Sequence, residues 1–181
     1  MTAGQGTDGG MGMEAETARK VRPLAARARR DAIFFAVAAA VFLLDQATKR
    51  AVERWLALGE SFPESWPVRL THVTNTGAAF GILEGQTGFL IVTTVVGLGA
   101  ILLYYWFPPA EHALLRVALG LQLGGAMGNL VDRVRSGYVV DFVDLQVWPK
   151  FNVADSSIVI GVALLLWFFF LHERTAPARP D

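Results

Sequence analysis

Cysteine is missing from the chain altogether. Its absence excludes disulfides, thiolate zinc sites, a cysteine nucleophile and a cysteine-linked lipid on the chain itself. Charge is scarce: 18% of residues are Asp, Glu, Lys or Arg, against about 25% in ordinary soluble domains. What charge there is balances, sixteen basic residues against sixteen acidic. Net charge therefore points to neither nucleic-acid binding nor a polybasic membrane-surface protein. No HExxH zinc motif and no GxSxG nucleophile turn occur. Against these absences stands an apolar surplus, 53% of 181 residues. The chain reads as a small integral membrane protein.

Residues 1–30 are first Gly-rich and then basic, with no sustained apolar stripe, and read as a disordered cytoplasmic tail. The membrane domain is expected over residues 31–172, with a short cytoplasmic tail over 173–181. Its clearest span is Gly88–Phe107, twenty residues without a charge, the length that crosses a bilayer core at about 1.5 Å per residue. A second runs from Ala113 to Val131, with Arg116 near its start expected to snorkel to the interface. Two other apolar runs, Ala32–Leu44 and Ile158–Leu171, are thirteen and fourteen residues long. Runs of that length reach spanning length only if polar neighbours are admitted: Asp45 to Lys49 after the first, Asp155 to Ser157 before the last. The first has a basic flank like a signal peptide, but Leu43-Leu44-Asp45-Gln46 follows it in place of a small-x-small cleavage site, so it reads as a retained helix.

Arg19, Lys20, Arg22, Arg27, Arg29 and Arg30 precede the first span. The positive-inside rule therefore puts the N-terminus in the cytoplasm, and four spans return the C-terminus there. Trp55, Trp66 and Trp148 then fall near the outer boundary, Trp106 and Trp167 near the inner one, as in an aromatic belt. In this topology nearly every costly polar residue lies toward one membrane face. Such one-sidedness is the first mark of a site.

Each polar cluster has a plain reading and a functional one. Asp45 and Lys49, four apart on a helix, can pair as a helix-end anchor or hold other polar groups in place. Arg69–Thr74 alternates like a half-exposed strand and Asn75-Thr76-Gly77 reads as a turn. This is either an ordinary hairpin or a backbone open to close approach by another chain, with Asn75 offering a donor and an acceptor. His72 reads as a solvated strand histidine. Gly120, Gly124 and Gly128 form a doubled small-xxx-small pattern that suits helix packing, and Asn129 and Arg133 follow on the same helix. Asp155, three residues after a possible N-cap Asn152, suits a helix's first turn on dipole grounds alone. Asp141 could be a loop carboxylate paired with Arg133 or Arg135. Brought together at a low-dielectric boundary, however, two carboxylates share a proton. One can then activate a water while the other polarises a carbonyl. That chemistry needs neither metal nor cofactor.

Five blocks carry a resemblance. They are Asp45-Gln46-Ala47-Thr48-Lys49, Asn75-Thr76-Gly77-Ala78-Ala79-Phe80, Gly128-Asn129-Leu130-Val131-Asp132-Arg133, Gly137-Tyr138-Val139-Val140-Asp141-Phe142 and Phe151-Asn152-Val153-Ala154-Asp155. In this order, set on four spans, they resemble the lipoprotein signal peptidases (signal peptidase II). The resemblance implies an aspartyl endopeptidase of the bacterial inner membrane, active at its outer face. It would cut the signal peptide from a prolipoprotein just before a cysteine carrying diacylglycerol. It implies Asp141 and Asp155 as the catalytic dyad. Asp45, Lys49, Asn75, Asn129, Arg133 and Asn152 would support the dyad and contact substrate. It also implies four transmembrane helices with a small extracytoplasmic β-sheet cradle and a lid, and as partners the diacylglyceryl-modified prolipoproteins and membrane lipid. The chain departs from many relatives in a short connection between Asp141 and Asp155 and in a long N-terminal segment. Two other classes stand beside this reading. One is a small proton-coupled transporter with a relay through Asp45, Lys49 and Asp155, which would place charges near midplane and repeat its helices. The other is a scaffold whose polar clusters only anchor helices.

Overall fold

The computed structural model describes residues 8–78, 82–108 and 112–175, with side chains described between 31 and 170. Its elements in chain order are α1 (Asp8–Trp55), β1 (Ser61–Phe62), β2 (Arg69–Asn75), α2 (Thr87–Trp106), α3 (Ala113–Ser136), β3 (Val139–Asp144) and α4 (Val153–Thr175). Four helical stretches are long and apolar enough to cross a membrane: Asp31–Trp55, Thr87–Trp106, Ala113–Ser136 and Val153–Phe170. Both short apolar runs are thus completed by the polar neighbours the sequence offers them. N-terminal to its span, α1 continues as backbone helix back to Asp8, where the sequence suggests a tail. Ala, Glu, Lys and Arg, all strong helix formers, dominate that stretch. Residues 1–7 and 176–181, expected as tail, lie outside the described residues, as do Ala79 and Phe80 of the second sequence block.

The central helix is α3. It packs against α1, α4 and α2, and 56% of its span is buried, far more than in the other three. Glycine makes this possible. A Cβ at Gly120 would meet the Phe34 carbonyl oxygen of α1 at 2.8 Å, and one at Gly124 would strike the Ala38 carbonyl. On the next face, a Cβ at Gly125 would stand 2.5 Å from the Ala154 carbonyl oxygen of α4. Backbones this close exchange dispersion contacts along their length, the force that holds membrane helices together where lipid is as apolar as the side chains.

Arg116 does not snorkel. It is buried, and its Nη1 donates to the Tyr105 carbonyl oxygen at 2.7 Å. Its guanidinium lies 4.3 Å from the centroid of the Tyr105 ring, which stacks on Phe34, and Nη2 stands 3.9 Å from Asp31. The cause is the end of α2: its last carbonyls have no intrahelical donor, and a cation there satisfies one of them and complements the helix dipole. Arg116 therefore ties α1, α2 and α3 together at one end of the bundle.

The other end carries a three-stranded antiparallel sheet in the order β1-β2-β3. Val73 pairs with Asp141 and Asn75 with Val139, with a register irregularity between Leu70 and Val73. That irregularity breaks the expected alternation, so Thr71 and His72 are both buried. His72 is accordingly no solvated strand histidine: its Nδ1 lies 2.9 Å from the Leu56 carbonyl oxygen. On β3, Val140 and Phe142 point to one side and pack with Val52 of α1, which turns Asp141 to the opposite side.

The connection from β3 to α4 is pinned by Asp144. Asp144 accepts from the Gln146 backbone N–H at 2.9 Å, from Thr71 Oγ1 at 2.9 Å and from Arg69 Nε at 3.1 Å. Burial alone would raise its pKa, but these three donors and the nearby Lys150 charge hold it below the ordinary carboxylate value. Gln146 takes a left-handed backbone at φ 62°, and Phe151 then bridges back to Val143. The chain returns to the sheet just before α4 begins.

Candidate active site

The start of α4 sits against β3 and holds two of the expected residues. Asn152 Oδ1 accepts from the Asp155 N–H at 2.9 Å, and Asp155 Oδ2 accepts from the Asn152 N–H at 3.2 Å. This reciprocal pair is a capping box with Asn and Asp in its two places. The adjoining orphan donor, Ala154 N–H, goes to Asp45 Oδ1 of α1 at 2.9 Å. The plain reading of Asp155 as a first-turn acid is therefore correct as far as it goes. Its second oxygen does something else.

Asp155 Oδ1 accepts from Asn129 Nδ2 at 2.8 Å. Asn129 Oδ1 in turn accepts from Lys49 Nζ at 2.8 Å and Asn152 Nδ2 at 3.2 Å. Asp141 is held in a matching way: Oδ1 accepts from Asn152 Nδ2 at 2.7 Å and Oδ2 from Asn75 Nδ2 at 2.9 Å. Its partners are thus asparagines, where the plain reading offered Arg133 or Arg135. The Asn75 side chain is itself fixed by the Gly77 N–H, 2.9 Å from Oδ1, and Arg133 Nη2 donates to the Gly77 carbonyl oxygen at 3.0 Å. Three asparagines from β2, α3 and the start of α4 hold two aspartates, each oxygen with at least one N–H donor. Lys49 and Asp45 stand behind them and pair at 2.8 Å.

Both carboxylates face one cavity of about 620 Å³. Its polar end is lined by Asn75, Asn129, Arg133, Asp141 and Asp155, and its walls by Leu90 and Thr94 of α2 and Ile158, Val159 and Ile160 of α4. Arg133 Nε is buried with no hydrogen-bond partner. Asp141 is nine-tenths or more buried, and burial followed by the Asp155 charge pushes its pKa from 3.8 up to about 6. Hydrogen bonds from Asn75 and Asn152 and the Lys49 charge oppose that rise without cancelling it.

All eight residues singled out from the sequence therefore meet at one end of the bundle, five on the cavity and three behind it. Two members of the same network were not singled out. Gln46 Nε2 donates to Asp132 Oδ1 at 2.8 Å, and Asp132 Oδ2 lies 2.6 Å from Lys49 Nζ. Both stand inside the sequence blocks, but a contact between α1 and α3 has no signature in local spacing. Among the described residues, no group of three or more His, Cys, Asp or Glu is placed to hold a metal.

Comparison with known proteins gives the chain as a whole its relatives. The family described as "Signal peptidase (SPase) II" matches residues 37–171. A "Lipoprotein signal peptidase" of Halothermothrix orenii is 47% identical over 135 residues, which cover 74% of this chain and 92% of that protein. One of Moorella thermoacetica is 45% identical over 148 residues, 81% of this chain and 99% of that protein. A solved structure described as "Bacterial membrane enzyme structure by the in meso method at 2.3 A resolution" superimposes with a TM-score of 0.74 at 34% identity. It covers 82% of this chain and 93% of that one.

Proposed function

The chain belongs to the signal peptidase II family, and on that premise we propose that it cuts diacylglyceryl-modified prolipoproteins with an Asp141–Asp155 dyad. The cut falls just before the lipidated cysteine and frees the signal peptide. One observation carries the reading: two aspartates from different elements open onto a single cavity, each fixed by asparagine N–H donors, with apolar walls leading away along α2 and α4. Carboxylates that only anchored helices would not need to share a cavity.

The chemistry follows from one proton shared by two carboxylates. The ionised carboxylate takes a proton from water as the water oxygen attacks the scissile carbonyl carbon, and the protonated one donates to the carbonyl oxygen. In the collapse of the tetrahedral species, the C–N bond breaks and its electron pair goes to nitrogen. The nitrogen receives the first carboxylate's proton, while a hydroxyl of the diol returns one to the second. The dyad ends as it began. Burial and its neighbour's charge raise Asp141, so the pair holds a proton to higher pH than a free carboxylate does. A substrate helix in the groove displaces water and adds to that burial. Arg133 Nε, unpartnered and buried, suits a substrate backbone carbonyl.

The substrate's lipid fits this placement. Its acyl chains stay in the bilayer and confine the scissile bond near the surface, which replaces a search in solution by one in two dimensions. With the basic N-terminal segment in the cytoplasm, both termini are inside and the sheet end of the bundle is outside, so the dyad stands at the outer boundary of the inner membrane. The signal peptide enters sideways between α2 and α4, where irregular backbone is tolerated because it lines a site.

Purified protein incubated with a diacylglyceryl-modified prolipoprotein and with its unlipidated counterpart separates this reading from its rivals. Cleavage of the lipidated form alone is expected. Cleavage of neither, in a protein that is folded and inserted, would overturn it.

A further inference from the structure

Lys49 is nearly fully buried, and its ammonium meets three acceptors: Asp132 Oδ2 at 2.6 Å, Asp45 Oδ2 at 2.8 Å and Asn129 Oδ1 at 2.8 Å. The contacts to Asp45 and Asn129 are hydrogen bonds; that to Asp132 is an ion pair, and Asp132 Oδ2 is buried with no hydrogen-bond partner. Asp45 has a separate task, since its other oxygen caps α4 through the Ala154 N–H. Asp132 has none. It touches neither Asp141 nor Asp155, and its other oxygen takes only the Gln46 amide at 2.8 Å.

What Asp132 secures is the direction of an amide. An asparagine side chain turned by 180° exchanges its oxygen and its nitrogen, and the two orientations differ only in their partners. Asn129 serves Asp155 only if its NH2 faces the carboxylate. The reverse orientation would set oxygen against oxygen. Two donors on the far side of Asn129 favour this choice, Asn152 Nδ2 at 3.2 Å and the closer Lys49 ammonium at 2.8 Å, and the cation does so only while it is itself held in place. With Asp132 uncharged, the ammonium keeps one full counter-ion, Asp45, and is free to swing toward it.

A second observation separates Asp132 from substrate. It lines a different, polar cavity of about 110 Å³, together with Gln46, Lys49 and Arg135, and no residue lining this cavity lines the large groove. A change at Asp132 therefore has no direct route to substrate binding.

We propose that Asp132, steadied by Gln46, is a positioning residue that acts through Lys49 and Asn129 to hold the Asp155 carboxylate in its working orientation. The inference rests on the dyad reading above. It predicts a split in the kinetic constants: Asp132→Asn keeps the shape of the side chain, removes its charge, and lowers kcat by about tenfold or more with KM within about twofold. Gln46→Leu gives a smaller loss of the same kind. The double variant loses less than the sum of the two single losses, because the shortest hydrogen bond of Gln46 is to Asp132, at 2.8 Å against 3.4 Å to Asp45 and to the Gly128 carbonyl oxygen.

The measurement is steady-state cleavage of a diacylglyceryl-modified prolipoprotein by detergent-purified full-length wild type, Asp132→Asn, Gln46→Leu, the double variant and Asp141→Asn, each with its melting temperature. Active wild type with inactive Asp141→Asn leaves the dyad reading standing, so the outcome at Asp132 is judged by itself. A fall in kcat at constant KM, with non-additivity in the double variant, supports the proposal. An unchanged kcat, or a loss carried by KM, overturns it. Should Asp132→Asn fail to fold, Gln46→Leu decides: reduced kcat at constant KM supports the proposal, and wild-type kcat overturns it.

Discussion

Asp141 carries the sharpest chemical signal on any single residue, a pKa pushed from 3.8 to about 6 by burial and by Asp155. If the free enzyme needs one proton on the dyad, kcat/KM falls as pH rises through about 6, tending to tenfold per unit above it. A profile of kcat/KM against pH from 5 to 9 checks this, and a flat line would be the wrong result. The same shift has a consequence for stability. A carboxyl whose folded pKa is raised contributes fully below its unfolded pKa and loses that contribution as pH rises through the folded value. Between about pH 4 and 7 the loss amounts to roughly 3 kcal/mol at most. Asp144 has the opposite sign: its depressed pKa contributes above the ordinary carboxylate value and is lost only in acid. At this scale the sequence is legible where partners lie on one helix, as with Asp45 and Lys49. It is silent where they lie on different elements, as with Lys49 and Asp132 or Arg116 and the Tyr105 carbonyl. Such pairs depend on which helix faces are brought together, and no local spacing encodes that.

Helix α3 is the element on which the others depend, and its glycines divide by face. Gly120 and Gly124 admit the backbone of α1, as the four-residue spacing suggests. Gly125 lies outside that spacing yet is as tight, because α4 packs on the adjoining face. Gly125→Ala should therefore cost about 1–3 kcal/mol, or fold with α4 displaced. Gly99→Ala on α2, where a Cβ would meet nothing within 4 Å, should be close to neutral. Thermal unfolding of the two variants in the same detergent compares them directly. The helices α1 and α4 were legible in outline from apolar runs too short to span, since the polar residues that complete them had to lie within the spans. The strand β2 was legible as a strand but not in its alternation, because the irregularity between Leu70 and Val73 buries two neighbours in succession. That irregularity arises from pairing with β3, a partner some seventy residues away in sequence.

At the level of the whole molecule, a bundle locked at one end by Arg116 leaves its polar residues to be organised at the other by the sheet. The sheet's role is spatial. Val140 and Phe142 fix β3 on the end of α1, Asp144 turns the chain back, and Asn152 arrives between the two aspartates. The fold class, four spans with a small sheet, was readable from hydropathy together with the family resemblance. The pinned return from Asp144 to Phe151 was not, because the short connection gives no local sign of the hydrogen bonds that hold it. The central claim is that Asp141 and Asp155 together perform the cleavage. Its most direct measurement is the release of signal peptide from a lipidated prolipoprotein by Asp141→Asn and Asp155→Asn variants that insert into membranes at the wild-type level. Loss of product in both is the predicted result; wild-type turnover in either would contradict the account.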